Sequence, residues 1–175
     1  MKLIGQALLQ KDDKRVQNGF AMAMPKQIVN AQGAWVGRSK LHLSWLSPEE
    51  RVTESDSTLQ VELGDQAAFA TIAYTWRHEG QKQNGAILAC INEKLQTIEY
   101  AWLDSWHQAG SVMRLVGPVV EGAPLKGNGT YQYEDQVWGW TIALSLTDEV
   151  FTLRMENVDP SGEAEWAVEA VYNRE

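Results

Sequence analysis

The sequence predicts an all-β protein: one antiparallel up-and-down barrel of about ten strands, preceded by a short helical segment. Short runs rich in aromatic and β-branched residues recur from residue 33 onward, and turn sequences such as LSPEE, HEGQKQNG and DPSGE separate them. Several runs alternate apolar and polar residues, as strands with one buried face do. An open sheet of this many strands would leave unpaired edges, so we expect the sheet to close into a barrel.

The N-terminal part of the chain has a different pattern. It contains apolar Val16 and Phe20 after an acidic start, and then Pro25 and Gly33 as breaks. This pattern predicts one or two short helices that pack on the barrel or cap one of its ends. We therefore divide the chain into a helical segment, 1–32, and a barrel, 33–175. Polar residues interrupt any signal-peptide core, so no secretion signal is predicted.

Alternation within the runs assigns strand faces. In the first strand Trp35, Leu41 and Trp45 are expected to point inward, with Arg38 and His42 on the solvent face. The predicted strands, in order, are Ala34–Trp45, Val52–Leu63, Ala67–Arg77, Ala86–Asn92, Thr97–Trp106, Ser111–Val116, Gly129–Tyr133, Val137–Ser145, Val150–Asn157 and Ala164–Asn173. The segment VWGWTIAL leaves two alternatives open. With its large residues inward the barrel is filled, and with its small residues inward there is room for a ligand.

Composition narrows the class of protein. The 175 residues are 44% hydrophobic, enough for one sizeable core. A net charge of -8 repels phosphate backbones and anionic membranes, so neither nucleic acid nor a membrane is an expected partner. No apolar run is long enough to cross a bilayer, and we expect a soluble protein. The single cysteine, Cys90, lies in the run AILACI, which predicts a buried thiol and a reducing cytoplasm.

The segment YAWLDSWH, residues 100–107, carries the strongest chemical signal. In a regular strand Asp104 shares a face with Trp102 and Trp106, whereas His107 lies on the other face unless a bulge or the strand end intervenes. A carboxylate among indoles needs hydrogen-bond donors, for which we consider indole N–H groups, a tyrosine hydroxyl or Arg114. Asp104 is then a structural carboxylate, a cavity-lining group or an acid/base.

The histidines show no metal-ligand spacing, and we predict no metal and no cofactor. With His42 on the solvent face and His78 in a turn sequence, only His107 is expected in a pocket. The glycine-rich GNGT, residues 127–130, is predicted to be a hairpin turn. The predicted ligand-binding residues come from YAWLDSWH, together with one residue from each of two later strands. They are Tyr100, Trp102, Asp104, Trp106, His107, Trp140 and Met155.

The pattern Gly33-x-Trp35 resembles the calycin signature shared by lipocalins and fatty-acid-binding proteins. The segments GAWVG, YAWLDSWH, VWGWTI and SGEAEWAVEAVYNR resemble, more closely, an uncharacterised bacterial family of lipocalin-like domains of unknown function. The resemblance implies a barrel with an internal cavity, closed at one end by Trp35 with Arg174 packed over it. Some related barrels bind haem through one histidine, which directs attention to His107, although no attachment motif is present.

Three functions follow as expectations. The first is binding of a small, largely apolar or aromatic ligand inside a lipocalin-like barrel, without chemistry. The second is an isomerase, hydratase or hydrolase that uses Asp104 as acid/base with help from His107. The third is a filled barrel that serves as a structural or interaction module. The strand pattern is compatible with a homodimer but specifies no interface.

Overall fold

The computed structural model describes residues 24–108, 110–147 and 149–175. Ten antiparallel strands form a closed barrel in which neighbours in sequence pair with each other and the last strand pairs with the first. The elements are α1 Lys26–Asn30, β1 Gly33–His42, β2 Val52–Leu63, β3 Phe69–His78, β4 Gln81–Asn92, β5 Thr97–Asp104, β6 Met113–Pro118, β7 Leu125–Tyr133, β8 Gln136–Thr147, β9 Val150–Val158 and β10 Ala164–Arg174. The predicted all-β up-and-down barrel with a short N-terminal helix is confirmed.

Helix α1 lies across one end of the barrel. The Met24 N–H donates to Ala67 O (2.9 Å), between β2 and β3, and the Gln27 amide donates to Ala123 O (3.3 Å), between β6 and β7. Ile28 is buried with Met24 in the core. The helices predicted within residues 1–23 lie outside the described residues. Within the described ranges, no helix has the length and apolar character needed to cross a membrane.

Trp35 joins this helix to the first and last strands. The buried indole donates from Nε1 to Ala31 O (2.8 Å), and its strand register places it opposite Arg174. The Arg174 guanidinium carbon lies 4.5 Å from the Trp35 ring centroid, a cation–π contact of about 0.5–2 kcal/mol. The same guanidinium donates to Gln32 O (3.2 Å) and to Asn30 O. One side chain therefore ties the end of β10 to the chain that follows α1.

The inward faces of the strands form one apolar core. On β8 the large residues of VWGWTIAL point inward, and Trp140, Ile142 and Leu144 are buried. Of the two alternatives for this strand, the structure has the one in which large side chains fill the interior.

Two predictions at the end of β1 are wrong. The strand ends at His42, so Trp45 lies in the following loop with 71% of its surface exposed instead of pointing inward. His42, predicted on the solvent face, is only 9% exposed. A bulge in β10 between Trp166 and Val168 accompanies a stacked contact of the Trp166 and His42 rings, with centroids 4.6 Å apart. The His42 Nδ1 atom also lies 2.9 Å from Trp166 O.

Two further predictions are wrong: the buried thiol of Cys90 and the hairpin turn at GNGT. In both cases the run is part of a strand whose residues alternate between the inside and the outside of the barrel. Cys90 is exposed, since it follows inward-facing Ala89 on β4 and therefore points outward. The GNGT segment is not a turn but part of β7. Its Gly127 faces the Tyr100 ring, where an added Cβ would lie 2.7 Å from the nearest ring carbon. Glycine here allows a close approach of β7 to the core.

Gly37 permits a similarly close approach between β1 and β10. A Cβ at this position would lie 2.0 Å from the carbonyl oxygen of Val171. We expect Gly37→Ala to lower the free energy of unfolding by about 1–3 kcal/mol in urea denaturation, because backbone must move. Gly139→Ala is the matched control. Its Cβ would meet the Val158 side chain at 2.9 Å, which gives way more easily, so equal losses would contradict this account.

Candidate functional site

The barrel end opposite α1 collects most of the aromatic side chains. The β1–β2, β3–β4, β5–β6, β7–β8 and β9–β10 connections form this end. In or next to them lie His42, His78, His107, Trp45, Trp76, Trp102, Trp106, Trp138, Trp140 and Trp166, which are all three histidines and seven of the eight tryptophans of the chain. We call it the aromatic end.

Asp104 is the buried charge of the aromatic end. It is the last residue of β5 and is 4% exposed. Its Oδ2 atom accepts hydrogen bonds from the Tyr74 hydroxyl (2.9 Å) and from Trp76 Nε1 (3.2 Å), both on β3. Tyr74 in turn accepts a hydrogen bond from Trp102 Nε1 (2.9 Å). These donors are the indole and tyrosine groups that the sequence analysis considered.

The second carboxylate oxygen organises the turn that follows β5. Asp104 Oδ1 accepts hydrogen bonds from the backbone N–H groups of Trp106 (2.9 Å) and His107 (3.0 Å), and lies 3.2 Å from His107 Nδ1. Strand alternation would separate Asp104 from His107, but the strand ends at Asp104 and the turn brings the imidazole back. The third donor considered, Arg114, does not reach Asp104 and instead pairs with Glu99 (2.8 Å).

Gly85 makes the link between β3 and β5 sterically possible. On the intervening strand β4 it pairs with Tyr74 on one side and with Asp104 on the other. A Cβ at Gly85 would lie 2.2 Å from the Tyr74 hydroxyl and 2.8 Å from Asp104 Oδ2. The absence of a side chain therefore lets the tyrosine reach across one strand to the carboxylate.

The hydrogen bonds decide the charge state of Asp104. Burial raises its pKa, but the hydrogen bond and charge of His107 and the two backbone N–H groups lower it by more, so the pKa of Asp104 lies below its ordinary value. Burial, followed by the Asp104 charge, raises the pKa of Tyr74 well above 10, so its hydroxyl stays protonated and donates. Because an ionised carboxylate only accepts hydrogen bonds, His107 must carry a proton on Nδ1, which leaves Nε2 on the other side of the ring.

Four indoles surround the His107 ring. The distances from its centroid are 4.7 Å to Trp106, 5.4 Å to Trp76, 5.5 Å to Trp140 and 6.0 Å to Trp102. Trp102 and Trp140 are themselves stacked at 5.4 Å. The imidazole is therefore held by ring packing as well as by its contact with the carboxylate.

A cavity lies beside this network. Its walls are Ser39, Leu41, Tyr74, Trp76, Asp104, His107, Leu153, Met155, Val168, Ala170 and Tyr172. One wall thus carries the hydrogen-bonded polar groups, and the facing strands β9, β10 and β1 supply mostly aliphatic side chains. The space open to the centre of a water molecule is about 10 Å³, enough for about one water.

The predicted ligand-binding residues divide into two groups. Asp104, His107 and Met155 line the cavity, whereas Trp102, Trp106 and Trp140 pack around His107 behind it. Tyr100 is buried elsewhere and donates to Leu125 O (2.8 Å). Four polar or aromatic lining residues were not predicted as ligand-binding from the sequence: Ser39, Tyr74, Trp76 and Tyr172. Alternation carried the signal, since all four have the inward parity of β1, β3 or β10.

Several ring nitrogens at the aromatic end are buried without a hydrogen bond to any described residue. They are Trp138 Nε1, Trp140 Nε1 and His78 Nδ1. His78, which the sequence analysis placed in a turn, is the last residue of β3, and its ring lies 5.1 Å from that of Trp106. The end of the barrel thus contains unpaired donors as well as the saturated carboxylate.

The residues present do not fit a haem. The cavity admits about one water, and the ring of His107 is enclosed by indoles and engaged with Asp104. Across the described ranges, no three His, Cys, Asp or Glu side chains are grouped as metal ligands would be.

Fold and site together define a closed ten-stranded antiparallel barrel, covered at one end by a helix and lined at the other by aromatic rings. The fold is similar to that in the crystal structure of Rv2717c from M. tuberculosis, with a TM-score of 0.59. That match covers 87% of this chain and 99% of the other at 12% sequence identity, so the likeness concerns the fold alone. No family model and no curated protein matches the sequence.

The hydrogen bond from Trp76 to Asp104 can be isolated with two identical substitutions. Trp76→Phe removes a donor to a buried carboxylate, whereas Trp140→Phe removes an N–H that has no partner among the described residues. Both variants lose comparable ring volume. We expect Trp76→Phe to lower the free energy of unfolding by about 1.5–3 kcal/mol more than Trp140→Phe in urea denaturation. Equal losses would show that the hydrogen bond contributes nothing.

The lowered pKa of Asp104 predicts a pH-dependent contribution to stability. Because the folded state binds this proton less readily than the unfolded chain, the carboxylate stabilises the fold above its unfolded pKa of about 3.9. This contribution is lost as the pH falls through the folded pKa. The destabilisation caused by Asp104→Asn should therefore be largest above about pH 5 and shrink toward about pH 2. Urea denaturation of wild type and Asp104→Asn across this pH range measures the difference in their free energies of unfolding. A difference that does not change with pH would refute the prediction.

Proposed function

We propose that the protein binds a small, largely apolar ligand in the cavity beside Asp104 and His107. The observation that carries this proposal is the cavity's two-sided lining. Aliphatic Leu41, Leu153 and Met155 face a wall whose polar groups are already hydrogen-bonded to one another. Pockets for small molecules are typically built in this way, with a mostly apolar surface and a few fixed polar atoms.

Entry of a ligand larger than water requires one wall to move. Met155 suits this role, since an unbranched thioether side chain has three rotatable bonds and repacks readily. It lies on β9, opposite the saturated Asp104 network, so its displacement breaks no hydrogen bond. We therefore treat the polar wall as fixed and the Met155 wall as adjustable.

Acid/base catalysis is the second candidate, favoured by the contact between His107 Nδ1 and Asp104 Oδ1 at 3.2 Å. A carboxylate that fixes the tautomer and orientation of an imidazole prepares its Nε2 atom to exchange a proton with a substrate. In this arrangement His107 exchanges the proton with the substrate, and Asp104 orients the imidazole. The sequence suggested the reverse, with Asp104 as the acid/base and His107 assisting. Binding ranks first because it requires only the cavity.

We also propose a family, a cellular compartment and a partner for this chain. The contact between Arg174 and Trp35 supports placing the chain with the lipocalin-like domains that GAWVG and YAWLDSWH resemble. A single cysteine supports a reducing compartment, and we propose the cytoplasm. A small apolar or aromatic molecule is the proposed partner. The -8 net charge argues against nucleic acid and anionic membranes.

The adjustable wall gives a direct test of binding. Met155→Ala enlarges the cavity, and we expect it to bind toluene more tightly than wild type by about tenfold or more, as apolar cavities bind apolar molecules. The measurement is ligand titration followed by NMR and tryptophan fluorescence. Met113→Ala is the matched control, because Met113 is buried but does not line the cavity.

Both substitutions should lower the free energy of unfolding by about 2–5 kcal/mol, so stability alone will not separate them. Only Met155→Ala should improve binding. Failure of wild type and Met155→Ala to bind toluene or any member of a panel of small aromatic and aliphatic compounds would overturn the proposed function.

A further inference from the structure

Ser39 lines the cavity, and its hydroxyl makes no hydrogen bond to a described residue. It lies on the inward face of β1 and is 6% exposed. Its cross-strand neighbour on β10 is Ala170. A hydroxyl that lines a cavity without a partner is available as donor and acceptor to a molecule bound there.

Ser57 shows how this barrel treats its other buried serine. On β2, next to β1, the Ser57 hydroxyl lies 2.5 Å from Thr75 O, to which it donates, and 2.8 Å from the Tyr172 hydroxyl. Tyr172 lines the same cavity as Ser39, but its hydroxyl is already engaged there. Lack of a partner is therefore particular to Ser39 and is not general among the buried serines.

If the cavity binds a ligand, as proposed above, its lining also indicates the class of ligand. We propose that Ser39 recognises a polar group on the ligand and that the ligand is a small neutral alcohol or phenol. A hydroxyl both donates and accepts, so it can pair with Ser39 Oγ in either role, in the same cavity that His107 lines. The apolar body of the ligand then contacts the aliphatic wall, including Leu41 and Met155.

The same cavity disfavours a carboxylate ligand. Asp104 lines it as a carboxylate whose hydrogen bonds come from neutral N–H and O–H groups and from His107. Within the described residues, no lysine or arginine lines the cavity, and Arg114, the cation considered as a partner of Asp104, pairs with Glu99 instead. A second negative charge placed here would be repelled without compensation. A neutral hydroxyl avoids this penalty.

Phenol and toluene test the inference, because they differ only in a hydroxyl against a methyl group. We expect Ser39→Ala to weaken phenol binding about tenfold while toluene affinity changes by less than about twofold, as measured by calorimetric or NMR titration. Ser44→Ala, in the exposed loop after β1, is the matched control and should change neither affinity. Wild type should bind benzoate much more weakly than phenol.

The outcomes separate the two proposals. Binding of both compounds with no effect of Ser39→Ala on phenol would overturn the role of Ser39 and leave ligand binding intact. Benzoate binding as tight as that of phenol would overturn the neutral ligand class. Binding of neither phenol nor toluene would overturn the proposed function and, with it, this inference. Thermal unfolding provides the folding check, since removing an unpaired hydroxyl should not lower the melting temperature.

Discussion

The aromatic end depends on the burial of one carboxylate. An ionised carboxyl group can be taken out of water only if its oxygens find donors, and Asp104 has two on Oδ2 and three on Oδ1. These donors come from β3 and from the turn after β5, so the charge fixes parts of the chain that are about 30 residues apart. The position of His107, and hence one wall of the cavity, follows from this requirement.

The two ends of the barrel are built on different principles. At the end covered by α1, Trp35 and Arg174 use packing, backbone hydrogen bonds and a cation–π contact to join the first and last strands. At the aromatic end, a hydrogen-bonded charge is enclosed by indoles. The first arrangement pairs the indole N–H of Trp35, whereas the second leaves several buried ring nitrogens without a partner among the described residues. Of the buried side-chain atoms that lack a partner in the described part of the chain, Thr97 Oγ1 lies at the end covered by α1, and the others lie at the aromatic end.

The sequence was sufficient to predict the architecture, because alternation with period two identifies the strands one at a time. An open sheet of so many strands would leave unpaired edges, which favours closure into a barrel. It was less informative about strand ends. Nothing local shows that β1 stops before Trp45, or that the glycines of β7 lie in a strand, because those outcomes depend on β10 and on the Tyr100 ring. Asp104 and His107 were identified from a local pattern. Tyr74 and Trp76 were not, since their contact with Asp104 needs the register of three strands and a glycine at position 85.

Pairing of β1 with β10 also constrains how the molecule can form. Residues 35 and 174 are partners across the closing seam, so this set of hydrogen bonds spans nearly the whole barrel sequence. Local hairpins can form early, but until β10 has been synthesised β1 presents one unpaired edge. Such long-range closure slows folding and prolongs exposure of sheet edges. The seam is therefore the step at which a nascent chain of this kind is most open to pairing with another chain.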